Sequence, residues 1–393
     1  MQRAARIGIA AIVPALLTGQ IMVSDPVLVA EAPADVRRWG FYQFPVLDRL
    51  LDGRIALTFH VNPDSARSYG QSAQAPNRGV SADGGRTWTL TSSEQPTAGT
   101  LLANGDRLRI VTPRALPVGE LKLPPSVGAV EGSYGKLPYT YYRVTELPAN
   151  LQGIPLARLK KGASGWIEER ARMDDPEALR YSVEGVFPIV WWGDMKVMHD
   201  GSVLAVVYPG RLAGQLLRAC HVFCYRSRDN GASWQVQGRI LYEGDRDGFT
   251  EPAFEVLADG SLLCLMRTTD GKGVGPMFST RSKDGGKTWS RPQPVAPTGV
   301  LPRLLRLRSG VLVLSSGRPG VDLRFSLDGK GESWTAARSL VPLTSDNVQA
   351  DSCGYTSLLA LDEHSFLIAY SWFNRPGADG KPHKAILVRR VTI

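Results

Sequence analysis

Three fragments in the second half of the 393-residue sequence contain residue types suited to proton transfer and anion binding. Glu251 lies nine residues before Gly260 and Arg267 lies seven residues after it, while Arg318 occurs in SSGRPGVDLRFSLDG and Tyr355 in CGYTSLLALDEHSFLIAY. A glutamate can take the proton of a tyrosine hydroxyl and make the oxygen a nucleophile. Arginine guanidinium groups match the two oxygens of a carboxylate. Together these types suit nucleophilic catalysis on a substrate that carries an anionic group.

Each of these residues also has a purely structural interpretation. A tyrosine on a β-strand often packs between sheets with its hydroxyl hydrogen-bonded, and a buried arginine often pairs with a neighbouring carboxylate. The combined spacing of the fragments, rather than any one residue, favours the catalytic interpretation.

Six hairpin-like turns divide the chain at regular intervals. They are LLDGRIALTF at Gly53, LLANGDRLRIV at Gly105, VMHDGSVLAVV at Gly201, VLADGSLLCLM at Gly260, LRLRSGVLVLS at Gly310 and LALDEHSFLIAY near Glu363. Asp-Gly and Asn-Gly accept the positive φ of a tight turn, so each copy predicts two antiparallel strands. Successive turns lie 52, 96, 59, 50 and 53 residues apart, close to the length of a propeller blade. We therefore predict an all-β, six-bladed β-propeller of four-stranded antiparallel blades, with a long insertion from blade 2 to blade 3 at about residues 112–180.

A second repeat, Ser-x-Asp-x-Gly-x-Thr-Trp, recurs beside these turns. Copies occupy residues 81–88, 227–234 and 282–289, and a copy with one extra residue occupies 326–334. The Ser and Asp side chains can bond nearby backbone groups, while Gly takes a conformation that other residues avoid. The repeat resembles the Asp-box, or BNR repeat, of the sialidase (neuraminidase) superfamily, where it is a turn on the outer strands. The resemblance implies that these repeats stabilise the fold and do no chemistry.

The resemblance to bacterial exo-α-sialidases also covers the Tyr, Glu and Arg fragments. Sialidases place a Glu and an Arg at this spacing around a turn Gly, another Arg ahead of a late Asp-box, and a Tyr at the start of a late strand. This implies that Tyr355 is the nucleophile and that Glu251 takes its proton. Arg267 and Arg318 would bind the substrate carboxylate. A neutral tyrosine suits a sialic acid, because the carboxylate on its anomeric carbon would repel a carboxylate nucleophile.

The family pattern breaks at the first arginine of its triad. FYQFPVLDRLLDG aligns with the Tyr-Arg-Ile-Pro strand and puts Gln43 at the Arg position, and Ser371 follows Tyr370 where sialidases commonly have a supporting Glu. Losing both members of a buried ion pair is tolerable, whereas losing one leaves a charge unpaired. We therefore expect an adapted site in which Gln43 donates a hydrogen bond to the substrate. The substrate could then be another ulosonic acid, a uronic-acid-bearing glycan or a neutral sugar.

Asp64 is the candidate acid/base residue. Sialidases carry this Asp on a loop after the first strand, and HVNPDSARSYGQ offers Asp64 with His60 nearby. Asp194 in WWGDMKVMHDG is the second candidate, and the two tryptophans before it could stack on a sugar or pack within a blade. An exposed loop Asp can also serve only as a turn former.

The expected function is a sialidase-like retaining exo-glycoside hydrolase that acts on terminal acidic sugars of glycans. Asp64 would protonate the leaving group while Glu251 activates Tyr355. The expected partner is a glycan or glycoconjugate, and we expect neither a cofactor nor a metal.

Two alternatives stay open. A non-catalytic glycan-binding propeller would have lost turnover together with the changes at Gln43 and Ser371. A hydrolase or lyase for a non-sialic polysaccharide would use the same fold with other residues, such as His60 or His199. An activated nucleophile favours the enzyme, because a binding protein needs none.

The composition is that of a globular protein, with 43% hydrophobic and 21% charged residues. The formal net charge of +9 favours anionic partners. The basic residues are scattered without an aromatic-interleaved basic stripe, so the sequence disfavours nucleic-acid binding.

The first residues have the arrangement of a secretory signal. Arg3 and Arg6 precede an apolar run at residues 7–17, which is too short to span a bilayer. We therefore predict an export segment at 1–30, a single propeller domain at 31–393, and a secreted or periplasmic location.

Four cysteines fit neither a zinc spacing nor a dense disulfide framework. We expect buried thiols in strands, or a Cys220–Cys224 pair formed after export. The four are Cys220, Cys224, Cys264 and Cys353.

Overall fold

A computed structural model of the chain describes residues 20–73, 75–92, 95–131, 137–215, 219–245, 247–268 and 275–393. The regular elements in these ranges are β-strands and five single-turn 3₁₀ helices. The apolar run at 7–17, on which the export prediction depends, lies outside the described residues. In the described ranges, no helix is long and apolar enough to cross a membrane.

Among the first eight strands, the predicted turns at Gly53 and Gly105 each join two antiparallel strands. Gly53 and Gly105 both have positive φ, which lets the chain reverse tightly between apolar strands. The strands are β1 (Met22–Val23), β2 (Val27–Glu31), β3 (Phe41–Arg49), β4 (Ile55–Val61), β5 (Arg78–Ser81), β6 (Thr89–Thr91), β7 (Thr100–Leu101) and β8 (Arg107–Ile110), with a 3₁₀ helix at Ala66–Ser68. Strands β3 to β6 form a four-stranded antiparallel sheet in chain order.

Seven strands follow before residue 190. They are β9 (Leu116–Pro117), β10 (Gly128–Glu131), β11 (Pro138–Arg143), β12 (Ile154–Leu159), β13 (Ile167–Asp174), β14 (Leu179–Ser182) and β15 (Val186–Phe187), with 3₁₀ helices at Val118–Glu120, Val144–Glu146 and Ala149–Leu151. Strands β10, β11 and β14 form a small sheet, and β9 pairs with β15. We call this small sheet the inserted sheet.

The predicted insertion at 112–180 is wrong in its extent. Strands β12 and β13 fall inside it, yet β12 pairs with both β13 and β8 and so belongs to a main sheet. The β12–β13 connection, KKGASGW, contains neither Asp-Gly nor Asn-Gly, the pairs that mark the turns at Gly53, Gly105, Gly201 and Gly260, so the turn pattern could not reveal this pair.

Fifteen strands complete the chain, and the predicted turns at Gly201, Gly260, Gly310 and near Glu363 each join two of them. They are β16 (Trp192–Val197), β17 (Val203–Gly210), β18 (His221–Ser227), β19 (Ser233–Ile240), β20 (Phe249–Val256), β21 (Leu262–Thr268), β22 (Met277–Ser282), β23 (Gln293–Ala296), β24 (Val300–Arg306), β25 (Leu312–Gly317), β26 (Val321–Ser326), β27 (Arg338–Ser339), β28 (Thr356–Ala360), β29 (Ser365–Pro376) and β30 (Pro382–Thr392), with a 3₁₀ helix at Ala213–Gln215. Strands β20–β23 and β24–β27 form two further four-stranded antiparallel sheets.

An eight-stranded sheet joins two antiparallel sets of four. Strands β16 to β19 form one set, and β13, β12, β8 and β7 form the other. The two sets meet where β13 pairs parallel with β19.

The last sheet contains both ends of the described chain. Strands β28, β29 and β30 pair antiparallel, and both β1 and β2 pair with β30. The predicted domain boundary at residue 30 is therefore too late, because β1 and most of β2 precede it. Strands β1 and β2 join the sheet because the backbone N–H and C=O groups of β30 need hydrogen-bond partners on the side away from β29.

The hydrophobic core lies between neighbouring sheets. Leu323 and Tyr370 belong to a cluster shared by the β24–β27 sheet and the last sheet, and Leu57 and Leu367 belong to one shared by the β3–β6 sheet and the last sheet. A third cluster lies between the two halves of the eight-stranded sheet. A fourth lies between strands β17 and β18 of that sheet and the β20–β23 sheet, and a fifth lies between the β20–β23 and β24–β27 sheets. The all-β prediction is confirmed. All four cysteines are buried and free. The structure therefore contains buried thiols and no Cys220–Cys224 disulfide.

The Ser-x-Asp-x-Gly-x-Thr-Trp repeats are turns closed by their own side chains. In the second copy, Ser227 Oγ accepts a hydrogen bond from Gly231 N at 2.7 Å and donates to Asp229 Oδ1 at 2.8 Å. Asp229 in turn accepts from the backbone and hydroxyl of Ser233, and Trp234 Nε1 donates to Gly231 O at 3.1 Å. The same bonds recur in the copies at 81–88 and 282–289. The repeats therefore stabilise local turns, as the sequence predicts.

Candidate functional site

A cavity of about 780 Å³ collects side chains from several sheets. Strands β16, β20 and β24 contribute residues near their first positions, β3 contributes residues from its middle, and Tyr355 lies immediately before β28. Loop 62–71, which follows β4, and the inserted sheet complete the walls. Positions that are far apart in sequence are thus brought to one place by the starts of the strands.

Glu251 lies at the centre of a buried polar cluster in this cavity. The Tyr355 hydroxyl donates a hydrogen bond to Glu251 Oε1, and Arg267 Nη1 donates to the same oxygen at 2.8 Å. The other oxygen, Oε2, accepts from Leu301 N at 2.7 Å. Glu251 is 4% exposed and Arg267 is 2% exposed. Three of the predicted residues, Tyr355, Glu251 and Arg267, are therefore in direct contact.

Local backbone geometry aims these side chains. Glu251 has a φ of 50° and lies in the bulge between Thr250 and Ala253, where the register of β20 on β21 shifts. Gly354, with a φ of 78°, precedes Tyr355. A Cβ at Gly354 would lie 2.8 Å from Val300 Cγ2 and 2.9 Å from Arg318 Cγ, so the bend before Tyr355 requires glycine.

Opposing effects set the protonation of Glu251. Burial raises its pKa, but the charge of Arg267, the hydrogen bond from Tyr355 and the charge of Arg318 lower it more, so the net pKa lies below its usual value. Glu251 is therefore a carboxylate at neutral pH. A carboxylate that accepts the hydrogen bond of a phenol can also accept its proton.

Arg318 lies beside the same cluster. Its Nε donates to Cys353 O at 3.0 Å, and its Cζ lies 5.3 Å from the centre of the Trp39 ring and 5.9 Å from that of Tyr355. Its Nη1 is buried with no hydrogen-bond partner among the described residues. A buried guanidinium N–H that lacks a partner beside a cavity can bind an anionic oxygen.

Asp64 lines the cavity on loop 62–71. Its Oδ2 accepts a hydrogen bond from Trp39 Nε1 at 2.9 Å. The loop is attached to the inserted sheet, because Ser65 Oγ donates to Glu184 Oε2 and Arg67 Nε donates to Glu184 O at 2.8 Å. His60 also lines the cavity, with its Nδ1 3.0 Å from Gly40 O.

Gln43 does not line the cavity, and its predicted contact with substrate disagrees with its placement. Its side chain is completely buried, and neither amide atom has a partner among the described residues. Tyr42 and Phe44 both have a φ of 54°, and the register of β3 shifts on either side of Gln43. These bulges bring Phe44 into the cavity instead, with its ring 4.9 Å from that of Tyr355.

Three other residues that the sequence analysis singled out lie outside the cavity lining. Asp194 does not line the cavity, because its Oδ2 accepts from Phe254 N at 3.1 Å and lies 3.8 Å from Lys196 Nζ. Ser371 is fully buried, with its Oγ accepting from Cys353 N at 3.2 Å. His199 is not among the cavity residues either. Of the sequence-based acid candidates, only Asp64 and His60 face the cavity.

The structure places several aromatic residues in the cavity lining, most of which sequence reasoning left without a role. Tyr139, Tyr141 and Tyr181 come from the inserted sheet, Tyr69 packs against the cluster that contains Tyr141 and Tyr181, and Trp192, one of the two tryptophans before Asp194, lies beside Tyr69 and Tyr208. The Tyr-rich stretch PYTYYR was the available signal. It could not assign a function, because an insertion of this composition can equally be a structural flap. Arg211 and Arg303, which sequence reasoning did not single out, also line the cavity.

Known proteins support the fold and the repeat family. Residues 174–368 match the family model of a BNR repeat-like domain, so the predicted resemblance to BNR-repeat proteins is confirmed in this part of the chain. No curated protein sequence matches the chain.

Three solved structures share the architecture. A protein of unknown function from Dyadobacter fermentans has 21% identity and a TM-score of 0.63, covering 95% of this chain and 99% of its own. The K499G mutant of NanB sialidase from Streptococcus pneumoniae has 11% identity and a TM-score of 0.51, covering 93% and 70%. The α-L-arabinanase of Penicillium chrysogenum, solved with arabinobiose, has 16% identity and a TM-score of 0.50, covering 93% and 98%. At these identities the similarity establishes a propeller-like fold and no activity.

Proposed function

We propose that this chain is a retaining exo-glycoside hydrolase that removes terminal acidic sugars from glycans, with Tyr355 as its nucleophile. The observation that carries the proposal is the hydrogen bond from the Tyr355 hydroxyl to Glu251 Oε1, beside Arg267 and at the wall of a large cavity. A phenol paired with a buried carboxylate is an activated nucleophile. A role in packing alone would require neither the open cavity nor a buried carboxylate.

The mechanism has two displacements. Tyr355 Oη attacks the anomeric carbon as its proton passes to Glu251, and Asp64 gives its proton to the glycosidic oxygen of the leaving group. Water then attacks the same carbon, with Asp64 taking its proton. The bond to Tyr355 breaks, and the phenolate recovers its proton from Glu251. Two inversions leave the anomeric configuration retained.

The arginines favour a substrate with an acidic group. Arg318 presents a buried Nη1 with no partner among the described residues, and Arg267 fixes the ionised form of Glu251. Gln43 lies outside the cavity wall, so a third positive charge is missing from the position where the sialidase pattern has one. We therefore propose an acidic sugar that needs fewer cationic contacts than an ordinary sialoside.

A non-sialic sugar is the second candidate substrate. The burial of Gln43 favours it, because the position that supplies a charged contact in the family pattern contributes nothing to this cavity. An arabinose-containing substrate belongs in the test, since an arabinanase shares the fold.

We also propose that the sheets are six blades of a propeller. Its support is that β7, β8, β12 and β13 form one antiparallel set of four and β16–β19 another, in addition to the four other main sheets. Export from the cytoplasm stays a proposal that depends on Arg3, Arg6 and the apolar run after them.

The test is sugar release from a panel of aryl glycosides. The panel contains N-acetylneuraminic acid, other ulosonic acids, glucuronic acid and α-L-arabinofuranose. We expect the wild type to release one acidic sugar, and Tyr355→Phe to lose at least about 100-fold in kcat while remaining folded. Tyr42→Phe is the matched control, because it removes a phenol from a position outside the cavity lining. Release of no sugar by the wild type, or full activity of Tyr355→Phe, would contradict the proposal.

A further inference from the structure

We propose that Trp39 is a positioning residue for the acid/base step, because its indole N–H fixes the Asp64 carboxyl group and its ring supports Arg318. This inference rests on the proposed function, in which Asp64 is the proton donor. Trp39 is half-buried and is not among the residues that line the cavity. It therefore acts through its two neighbours and not on the substrate.

The indole N–H is the partner of an otherwise exposed carboxyl group. Trp39 Nε1 donates to Asp64 Oδ2 at 2.9 Å, and this is the one hydrogen bond of the Asp64 side chain among the described residues. Proton transfer requires the donor to stay within hydrogen-bond reach of the reacting oxygen. An indole N–H is a donor only, so it cannot take the proton from Asp64. Because it occupies Oδ2, it favours Oδ1 as the oxygen that carries the proton of the neutral acid.

The backbone beside Trp39 packs directly on the loop that carries Asp64. Gly40 has a φ of 97°, and a Cβ there would lie 2.4 Å from Asp64 N and 2.5 Å from Asn62 O. Gly40 O also lies 3.0 Å from His60 Nδ1, at the end of β4. The indole thus reaches Asp64 from a segment that is in contact with the same loop, which keeps the two side chains in register.

The ring of Trp39 lies against the buried guanidinium of Arg318. Its centre is 5.3 Å from Arg318 Cζ, and Arg318 is 2% exposed. The rings of Phe373 and Phe44 lie 6.0 Å and 6.2 Å from that of Trp39, both edge to face. A cation beside an aromatic face is stabilised most where water is excluded. One side chain therefore contacts both the proposed proton donor and an arginine proposed to bind the acidic group.

A buried lysine holds the Trp39 segment from below. Lys384 Nζ donates to Arg38 O at 2.6 Å and to Phe41 O at 3.4 Å, the carbonyl groups on either side of Trp39 and Gly40. Lys384 is 3% exposed, and no carboxylate pairs with it among the described residues. A buried ammonium group needs its hydrogen-bond partners, so these bonds fix the segment to strand β30.

The test measures how strongly hydrolysis depends on the leaving group. Phenyl and 2,4-dinitrophenyl glycosides of the sugar that the panel identifies are compared by kcat/KM, which reports the first displacement. The dinitrophenolate leaves without a proton, whereas the phenol needs the acid. We expect Trp39→Phe, which keeps a ring and loses the N–H, to lose about tenfold or more with the phenyl glycoside and less than about threefold with the dinitrophenyl glycoside. A residue that only stabilised the fold would lower both values equally.

Two further variants separate the contacts of the indole. Trp39→Leu also removes the ring beside Arg318, so KM for the acidic sugar should rise by about threefold or more. Lys384→Met, which keeps the indole and loses the bonds to the two carbonyl groups, should change the ratio of the two glycosides in the same direction as Trp39→Phe. It serves as the second variant if Trp39→Phe does not fold.

Trp166→Phe is the matched control. Trp166 also lies against an arginine, with its ring centre 4.3 Å from Arg109 Cζ, and its indole N–H has no partner among the described residues. It lies outside the cavity lining. We expect this variant to keep the wild-type ratio of the two glycosides.

A second measurement requires no activity. In protein labelled with ¹⁵N at the indole nitrogens, the Trp39 resonance is identified by its loss in Trp39→Phe. We expect Asp64→Ala to move the Trp39 indole proton upfield, because its hydrogen bond is lost, and to leave the Trp166 resonance in place.

The outcomes separate this proposal from the proposed function. If the wild type releases no sugar, the proposed function fails, and the Trp39 resonance alone decides whether the indole holds Asp64. A Trp39 resonance that does not move in Asp64→Ala overturns the inference. Equal losses with both glycosides in Trp39→Phe and Lys384→Met overturn it too, even if sugar release depends on Tyr355.

Discussion

Glu251 is the residue on which the proposed chemistry of this site depends. It accepts hydrogen bonds from Tyr355, Arg267 and the backbone of Leu301, so its two oxygens are both held in place. Burial alone would favour its protonated form, and the neighbouring positive charges keep it ionised. The proposed base is thus ionised before any substrate binds.

Arg267→Gln should move the acid limb of the pH–rate profile upward. Without Arg267, burial of Glu251 is opposed only by Tyr355, Arg318 and the backbone of Leu301, so the pKa of Glu251 should rise by about 1 unit or more. Its wild-type pKa is lowered, so the associated stability is present above the unfolded value near 4.5 and is lost as pH falls through the folded value. The measurement is kcat/KM against pH.

Arg303→Gln provides the control for this shift. Arg303 lines the cavity but is not one of the groups that donate hydrogen bonds to Glu251, so its replacement should leave the acid limb in place even if KM rises. An acid limb that stays unchanged in Arg267→Gln would contradict the role assigned to this arginine.

Gln43→Met should leave KM unchanged and should not lower stability. The buried amide of Gln43 has no partner among the described residues, and an unsatisfied buried polar group costs about 1–3 kcal/mol. An apolar side chain of similar length removes that cost. The measurements are urea unfolding and KM for the sugar that the panel identifies. A severalfold rise in KM would show that Gln43 contacts the substrate after all.

Sequence spacing predicted the residues of the Tyr355 cluster but misplaced Gln43. Glu251 and Arg267 lie on the two strands that flank the Gly260 turn, and counting from that glycine places both correctly, although Glu251 itself lies in a bulge. Gln43 lies between two backbone positions of positive φ, which turn its side chain away from the cavity. Bulges of this kind leave no mark in the residue pattern, so alignment by strand position fails there.

At the scale of elements, the hairpins were predictable and the inserted sheet was not. Asp-Gly turns and alternating apolar residues are local signals, and they identified the six turns correctly. The β12–β13 hairpin uses a different turn. Strand β11 pairs with β14 across a stretch that contains both β12 and β13. Non-local pairing of short strands has no local pattern that could reveal it.

Ser227→Ala should destabilise the protein without affecting its chemistry. The substitution leaves the buried Gly231 N–H without its side-chain acceptor and removes a partner of Asp229. The loss should be about 1–3 kcal/mol in the free energy of unfolding. Thermal unfolding and kcat of the folded fraction are the two measurements.

The matched control is Ser233→Ala, which removes an exposed hydroxyl of the same turn and keeps the Gly231 contact. A fall in kcat of the folded Ser227→Ala protein, rather than in stability, would contradict a purely structural role for the repeat.

At the scale of the whole molecule, strand β2 contacts both the β3–β6 sheet and the last sheet. Strand β2 pairs with β30 of the last sheet, and Val29 on β2 reaches the first sheet, where a Cβ at Gly79 would lie 2.5 Å from Val29 Cγ1. Val29 therefore packs directly on the backbone of β5. One residue of the N-terminal strand thus connects the two ends of the fold.

Val29→Ala should lower the free energy of unfolding by weakening the packing of β2 on the β3–β6 sheet. Val29 is 6% exposed, and removing its two methyl groups from a packed interface should cost about 1–3 kcal/mol. Leu28→Ala on the same strand is the control, because Leu28 is 40% exposed and should change stability by less than about 0.5 kcal/mol. Urea unfolding of both variants measures the difference. Equal losses would mean that the strand contributes through its backbone alone.

The most direct test of the account is covalent trapping of the nucleophile. The full chain is incubated with the fluorinated, slowly hydrolysed analogue of the sugar that the panel identifies, and the protein and its peptides are weighed by mass spectrometry. The account predicts one sugar attached to Tyr355, and no adduct in Tyr355→Phe. An adduct on Glu251 or Asp64, or continued turnover by Tyr355→Phe, would contradict it.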